Sequence, residues 1–292
     1  MLAACGTATS SPSNGSNTTG SGTGSSATTL HLANSPLKQV QLAAKSTTSV
    51  KTLHLDISSV GTMTLPSGQN ITVNIGGGGD EDIANGLASF KMQESSSLPG
   101  SHTLSFQTIL DNGTDYTSSN LMAGVPGVDK PWLSANISNE SGSSAVNGVL
   151  TDPTRMLSFL SSVGTVTSLG SSVINGVNAT GYSVTVDLSK VAQKGVNTLV
   201  GTMRCLGTTT IPMKIWIDSA GRAVQAAFVW NISLPAGAAS MHEVINVTYT
   251  FSNFGEPVSI TPPSASDVQA LSSVLPPTTA GANGSSACSN AG

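Results

Sequence analysis

The chain is 292 residues long, with 11 Lys and Arg against 15 Asp and Glu, a net charge of −4 and only 9% charged residues. So sparse and slightly acidic a charge gives no electrostatic footprint for a phosphate backbone, and an aromatic content of 4% offers few stacking platforms, which excludes nucleic acid as a partner. About a quarter of the residues are Ser or Thr and 31 are Gly, a composition of polar strands and turns more than of helices.

In chain order, Met1-Leu2-Ala3-Ala4-Cys5 reads as the last part of a bacterial lipobox, in which small residues precede a cysteine that becomes the lipidated N-terminus. Gly6 follows at once, and residues 7–29 are almost wholly Ser, Thr, Gly, Ala and Asn, the composition of a flexible tether. Residues 1–34 are therefore expected to be a truncated lipobox and a Ser/Thr/Gly-rich tether spanning on the order of 30 Å. The charged and apolar regions of a signal peptide do not precede Cys5, as expected of a chain started late or trimmed. No apolar run reaches the roughly 18 residues that a spanning helix needs. Attachment is thus expected through lipid on Cys5, on the outer face of the cytoplasmic membrane, an extracytoplasmic location.

Residues 35–275 are expected to form one β-rich domain and 276–292 a flexible C-terminal tail. Pro36 stands at a helix start, with Leu37, Val40, Gln41 and Ala44 at helical spacing. Leu53, Leu55 and Ile57 then alternate with Thr52, His54 and Asp56, and Ile71, Val73 and Ile75, Phe90 and Met92, and Leu104 and Phe106 repeat the strand period. Gly76-Gly77-Gly78-Gly79 lacks the Lys and Ser/Thr of a phosphate loop and runs into Asp80-Glu81-Asp82, so a flexible turn is expected there. Asp152-Pro153 opens a second helix with Met156, Leu157, Phe159, Leu160 and Val163 on its apolar side. Strands resume at Val173 and Ile174, turn at Asn175-Gly176, and return through Tyr182, Val184, Val186 and Leu188. Ile211 to Ile217 and Val224 to Trp230 make a hairpin about Asp218-Ser219-Ala220-Gly221, and Ile245, Val247, Tyr249 and Phe251 make a further strand. Pro257, Pro262 and Pro263 precede a short helix expected over residues 266–274. Strands in succession with a few helices predict α+β: an antiparallel sheet whose dry face the helices cover.

Catalytic and metal signatures do not emerge. There is no Gly-x-Ser-x-Gly, and His31, His54, His102 and His242 are scattered without metal-ligand spacing; the carboxylates of Asp80 and Asp82 do not meet the EF-hand pattern. The expectation is no enzyme, no cofactor and no metal. With Cys5 taken by lipid, Cys205 and Cys288 either close a disulfide outside the cytoplasm or remain two free thiols.

A resemblance adds to this reading. Lys130-Pro131-Trp132-Leu133 opens a strand; Asp152-Pro153 with Leu157 and Leu160 marks the central helix; residues 176–182 lead into Val184-Thr185-Val186-Asp187-Leu188. Ile215-Trp216-Ile217-Asp218 with Gly221-Arg222, and residues 251–258 ending at Pro262-Pro263, complete the order. In this order, downstream of a lipobox and tether, the chain resembles the actinobacterial LppX/LprG-type lipoproteins, relatives of the LolA-like lipoprotein carriers. It departs in carrying Gly181 where similar chains often have His before the Tyr, and in its low charge. The resemblance implies a curved antiparallel half-barrel wrapped over a few helices, an apolar cavity that in some relatives carries acylated lipids, and no active site.

Two functions are weighed. The leading one is a lipid-anchored protein that binds or shuttles a hydrophobic, acylated lipid ligand, with an envelope transporter or protein as a further partner. Its cavity would be lined by Val40, Leu53, Leu55, Phe90, Met92, Leu104, Phe106, Met156, Leu157 and Leu160. The alternative is a non-catalytic surface interaction module, in which the same scaffold has a filled core and presents loops such as 76–82 or 125–132.

Overall fold

The computed structural model describes residues 35–65, 67–136, 157, 159–191, 208–234 and 241–274. All lie in the larger of two units of the chain, His31–Gly292, the other being Met1–Leu30. The expected α+β domain is, among the described residues, mostly strand: one open, curved sheet of 12 strands with few helices.

Helix α1 (Pro36–Thr48) starts where the sequence places it, because Ser35 Oγ accepts the Lys38 N–H at 3.3 Å and Pro36 sits where no N–H is needed. Its buried residues Val40, Ala43, Ala44 and Thr47 recur at helical spacing and make one stripe. The stripe packs chiefly on β7 (Val163–Ile174), β9 (Thr210–Asp218), β10 (Ala223–Leu234) and a 3-10 turn at Phe159–Ser162.

The sheet is two meanders joined side by side. One runs through β1 (Thr52–Thr64), β2 (Asn70–Asp82), β3 (Leu87–Ser96), β4 (Leu104–Asp111), β5 (Thr114–Ser119) and β6 (Trp132–Asn136). The other runs from β7 through β8 (Val177–Asp187), β9 and β10 to β11 (Met241–Ser252), which closes against β1. The spatial order is β12-β6-β5-β4-β3-β2-β1-β11-β10-β9-β8-β7, antiparallel except where β12 (Val268–Ala270) pairs in parallel with β6. Short turns force this order. Asn112-Gly113 and Asn175-Gly176 all have positive φ, the geometry that a tight two-residue hairpin needs and that Asn and Gly adopt at least cost.

The face that meets α1, called the inner face, carries Leu53, Leu55 and Ile57 of β1, Phe90 and Met92 of β3, Tyr182, Val184 and Val186 of β8, and matching rows from β9, β10 and β11. Their alternation with polar residues is the period-2 pattern of a sheet dry on one side.

The glycine run departs from the flexible turn expected of it. Gly76 to Gly79 lies in the middle of β2, paired with Ser58 to Leu55 of β1 on one side and with Gln93 to Phe90 of β3 on the other. A Cβ on Gly77 would fall 2.1 Å from the Lys91 carbonyl oxygen, and one on Gly79 would fall 1.9 Å from that of Ser89. The run is where β2 and β3 approach too closely for side chains, so the glycines serve the sheet.

Two further elements differ from expectation. Of the helix expected over 152–163, Leu157 is helical and Phe159–Ser162 is a 3-10 turn, after which Val163 already begins β7; residues 152–156 lie outside the described ones. The helix expected over 266–274 is divided into a 3-10 turn at Ala265–Asp267, strand β12 and a single helical turn at Leu271–Val274. The Gln269 side chain explains the interruption, since its amide donates to the Gly127 carbonyl at 2.8 Å and accepts the Asp129 N–H at 3.0 Å, holding β12 extended beside the segment that leads into β6.

Candidate ligand-binding face

Of the ten residues expected to line an apolar cavity, Val40, Leu53, Leu55, Phe90, Met92, Leu157 and Leu160 are brought together in a single buried cluster, with Phe106 packed half-buried against it. Leu104 is half-buried outside that cluster, and Met156 lies outside the described residues, as do Cys5, Cys205 and Cys288. The cluster unites α1, the 3-10 turn and residues of seven strands, several far apart in sequence.

Apolar inner-face residues continue beyond the fully buried region. Ile75, Phe106 and Leu110 are only partly buried, on strands β2 and β4, whereas α1 covers chiefly β7, β9 and β10. The register aligns Ile57, Gly77, Met92 and Phe106 in one row across four strands, with no side chain at its second position. On β10 and β11 the same face carries an aromatic cluster: the Phe228 ring lies 5.0 Å from Trp230 and 5.7 Å from Tyr249 between centroids.

Polar groups occupy defined places. The Thr47 hydroxyl, buried under α1, accepts the Ala223 N–H at 2.7 Å and donates to the Ala43 carbonyl at 2.8 Å, tying helix to sheet. Tyr182, also on the inner face, donates its hydroxyl to Gln39 of α1, and burial pushes the Tyr182 phenol above its ordinary value. Desolvation likewise raises the Glu243 carboxyl on β11. Among the described residues, the buried indole Nε1 of Trp230 has no hydrogen-bond partner.

On the opposite, outer face, His54 is half-buried and engaged with carboxylates. Its Nδ1 lies 2.7 Å from Asp80 Oδ1 and its Nε2 lies 3.5 Å from Asp56 Oδ1. Asp82 accepts from the backbone and side-chain nitrogens of Asn85 at 3.1 and 2.7 Å, so Asp80 and Asp82 engage different neighbours. Among the described residues no group of three or more His, Cys, Asp and Glu side chains could hold a metal ion.

Open spaces adjoin the sheet. A groove of about 860 Å³ crosses β2 to β5; Lys91, Gln93, Ser105, Gln107 and Ser118 line it from the outer alternation, and Met92 and Phe106 also contribute. A pocket of about 390 Å³ lies at the tips of β7–β8 and β9–β10. There Asp218 accepts the Arg222 backbone N–H at 2.8 Å and its Nε–H at 2.9 Å, and the guanidinium stands 4.3 Å over the Phe254 ring. The sequence marks Asp218-Ser219-Ala220-Gly221 as a turn; the stacking of Arg222 on Phe254, 32 residues later, has no local signal.

No family model matches the chain, and no curated protein matches it in sequence. Among solved structures it is similar to LprF from Mycobacterium bovis, at 18% identity and a TM-score of 0.45 over 78% of this chain and 97% of that one. It is also similar to the lipoprotein LppX from Mycobacterium tuberculosis, at 16% identity and a TM-score of 0.42 over 77% and 97%. A LolA superfamily protein from Nitrosomonas europaea follows at 10% identity and a TM-score of 0.28, over 79% and 96%. The chain thus resembles the LppX/LprG-type lipoproteins in the order of its motifs and has LprF and LppX among its structural neighbours.

Proposed function

We propose that this is an extracytoplasmic lipoprotein, anchored through lipid on Cys5, that holds an acylated lipid against the inner face of its sheet, the curved sheet acting as a half-barrel around the ligand. The observation that carries the reading is the mismatch between apolar sheet and covering helix. The dry face extends over β1 to β4 as far as Ile75, Phe106 and Leu110, which are only partly buried, while α1 packs over the other half. Transfer of an acyl chain from water onto such a face is worth about 0.8 kcal/mol per methylene, so a chain of ordinary length gains enough to bind without a charged contact.

The test is uptake of a fluorescent fatty-acyl probe by the full chain stripped of lipid. The protein as it stands should take up the probe, and Phe106→Asp, which puts a carboxylate at the half-buried edge of the face, should weaken uptake by about tenfold or more while the fold persists. An absence of uptake by the unaltered protein would reject the carrier and leave the surface interaction module.

A further inference from the structure

The two ends of the sheet differ in charge. At one end, where β1, β3 and β5 finish, the chain turns through residues 65–69, 97–103 and 120–131. Residues 65–69, 97–103 and 120–128 include no Asp, Glu, Lys or Arg; Glu94 and Glu243 stand back on β3 and β11, and Asp129 is followed by the opposed Lys130. The other end holds Lys51, Asp82, Asp111, Asp218, Arg222 and Glu256.

The uncharged end carries large apolar side chains in the open: Leu121 is 60% exposed, Leu98 44% and Val125 43%. One side chain holds their two loops together, since Asn120 Oδ1 accepts the Ser105 N–H and its Nδ2 donates to the Thr103 carbonyl, both at 3.0 Å. The loops also pair much of their own backbone. The Leu98 N–H donates to Ser96 Oγ and the Leu121 N–H to Ser119 Oγ, at 3.2 and 3.1 Å. The N–H groups of Ser101, Met122, Val125 and Val128 each donate to the carbonyl three residues back, at 3.1, 3.1, 3.2 and 3.1 Å. Loops that satisfy their own N–H groups can leave water without stranding donors, which is what the boundary between headgroups and acyl chains demands. A protein partner, able to supply acceptors, makes no such demand.

Helix α1 points the same way. Gln39 meets Tyr182 midway along β8, and Thr47 meets Ala223 at the charged end. The helix therefore begins toward the uncharged end, and residues 1–34, Cys5 among them, join it at that first turn. Phe106, at the half-buried edge of the dry face, is the third residue of β4 and pairs with Ser119, so the uncovered part of the face reaches this end too.

Resting on the carrier reading, we infer that Leu98, Leu121 and Val125 form a membrane-docking edge that enters the lipid surface and sets the uncovered inner face at the bilayer from which ligand comes. An anchor on Cys5 makes this contact intramolecular, so a weak partition of three side chains suffices.

Cosedimentation of the full chain carrying Cys5→Ser, and so without an anchor, with zwitterionic phosphatidylcholine vesicles tests this beside uptake of a soluble fatty-acyl probe. The chain should bind the vesicles in low and high salt alike, because no charge contributes. Leu121→Asp with Val125→Asp should lower vesicle binding by about tenfold or more and leave probe uptake and the thermal melt unchanged. Val173→Asp, at a 62% exposed apolar position of the charged end, should change none of them. Vesicle binding that the double substitution does not weaken, or its absence while the probe is taken up, overturns the docking edge and leaves the carrier standing. Vesicle binding that the double substitution abolishes, in a chain that takes up no probe, supports the edge and removes the carrier.

Discussion

Thr47 shows how much of the packing rests on single polar atoms. Its hydroxyl accepts the Ala223 N–H, and both residues are wholly buried. Thr47→Val keeps the shape and removes the acceptor, so unfolding in urea should show a loss of about 1–3 kcal/mol, whereas Thr48→Val, on a less buried position, should cost less than 1 kcal/mol. None of this was legible beforehand, because the partner lies 176 residues away. Glu243 gives a pH-dependent test. Burial holds its folded carboxyl above the ordinary glutamate value, so the unfolded chain releases the proton first as pH rises. Stability from this group is full below the ordinary value and is lost as pH rises through the raised one. Glu243→Gln should therefore raise Tm at pH 7 and leave it unchanged near pH ~3; a gain of equal size at both pH values would assign the effect to packing.

At the scale of elements, alternation in sequence located most of the inner-face strands: Leu53 to Ile57, Phe90 and Met92, Ile211 to Ile217, and Ile245 to Phe251 all fall in strands with those residues inward. Strands without an apolar period escaped. β5 reads Thr-Asp-Tyr-Thr-Ser-Ser and is a strand because the Asn112-Gly113 turn lays it beside β4; β12 is three residues held by Gln269. The glycine run misled for the opposite reason, since its freedom in isolation says nothing about the close approach of β3. Alanine substitution separates the two readings. Gly77→Ala and Gly79→Ala should each destabilise by roughly 2–4 kcal/mol, because the new methyl meets a backbone carbonyl that cannot move alone. Gly76→Ala, whose Cβ would lie 4.0 Å from the nearest atom, should be close to neutral. Equal tolerance at all three in a thermal melt would mean that β2 is not clamped at this point.

For the whole molecule, the sheet order could be anticipated only in part. Each hairpin follows from its turn, but the closure of β11 on β1, which sets the two meanders edge to edge and makes their dry faces one surface, depends on pairing between residues nearly 200 apart. That closure creates more inner face than α1 covers, and the carrier function rests on this excess. Of the expected lining residues, seven meet in one cluster: Leu53, Leu55, Phe90 and Met92 through the inward alternation of β1 and β3, Val40 through the buried stripe of α1, and Leu157 and Leu160 at the 3-10 turn, and such local periods are the part of the site that sequence can encode. The orphaned Trp230 donor and the raised Glu243 carboxyl arise only once β10 and β11 are paired. The most direct test of the account is mass spectrometry of an organic extract of the full-length protein isolated from its native host without detergent. The account predicts an acylated lipid in an amount approaching one per chain. An extract holding no lipid beyond that of an unrelated anchored protein from the same membrane would contradict it.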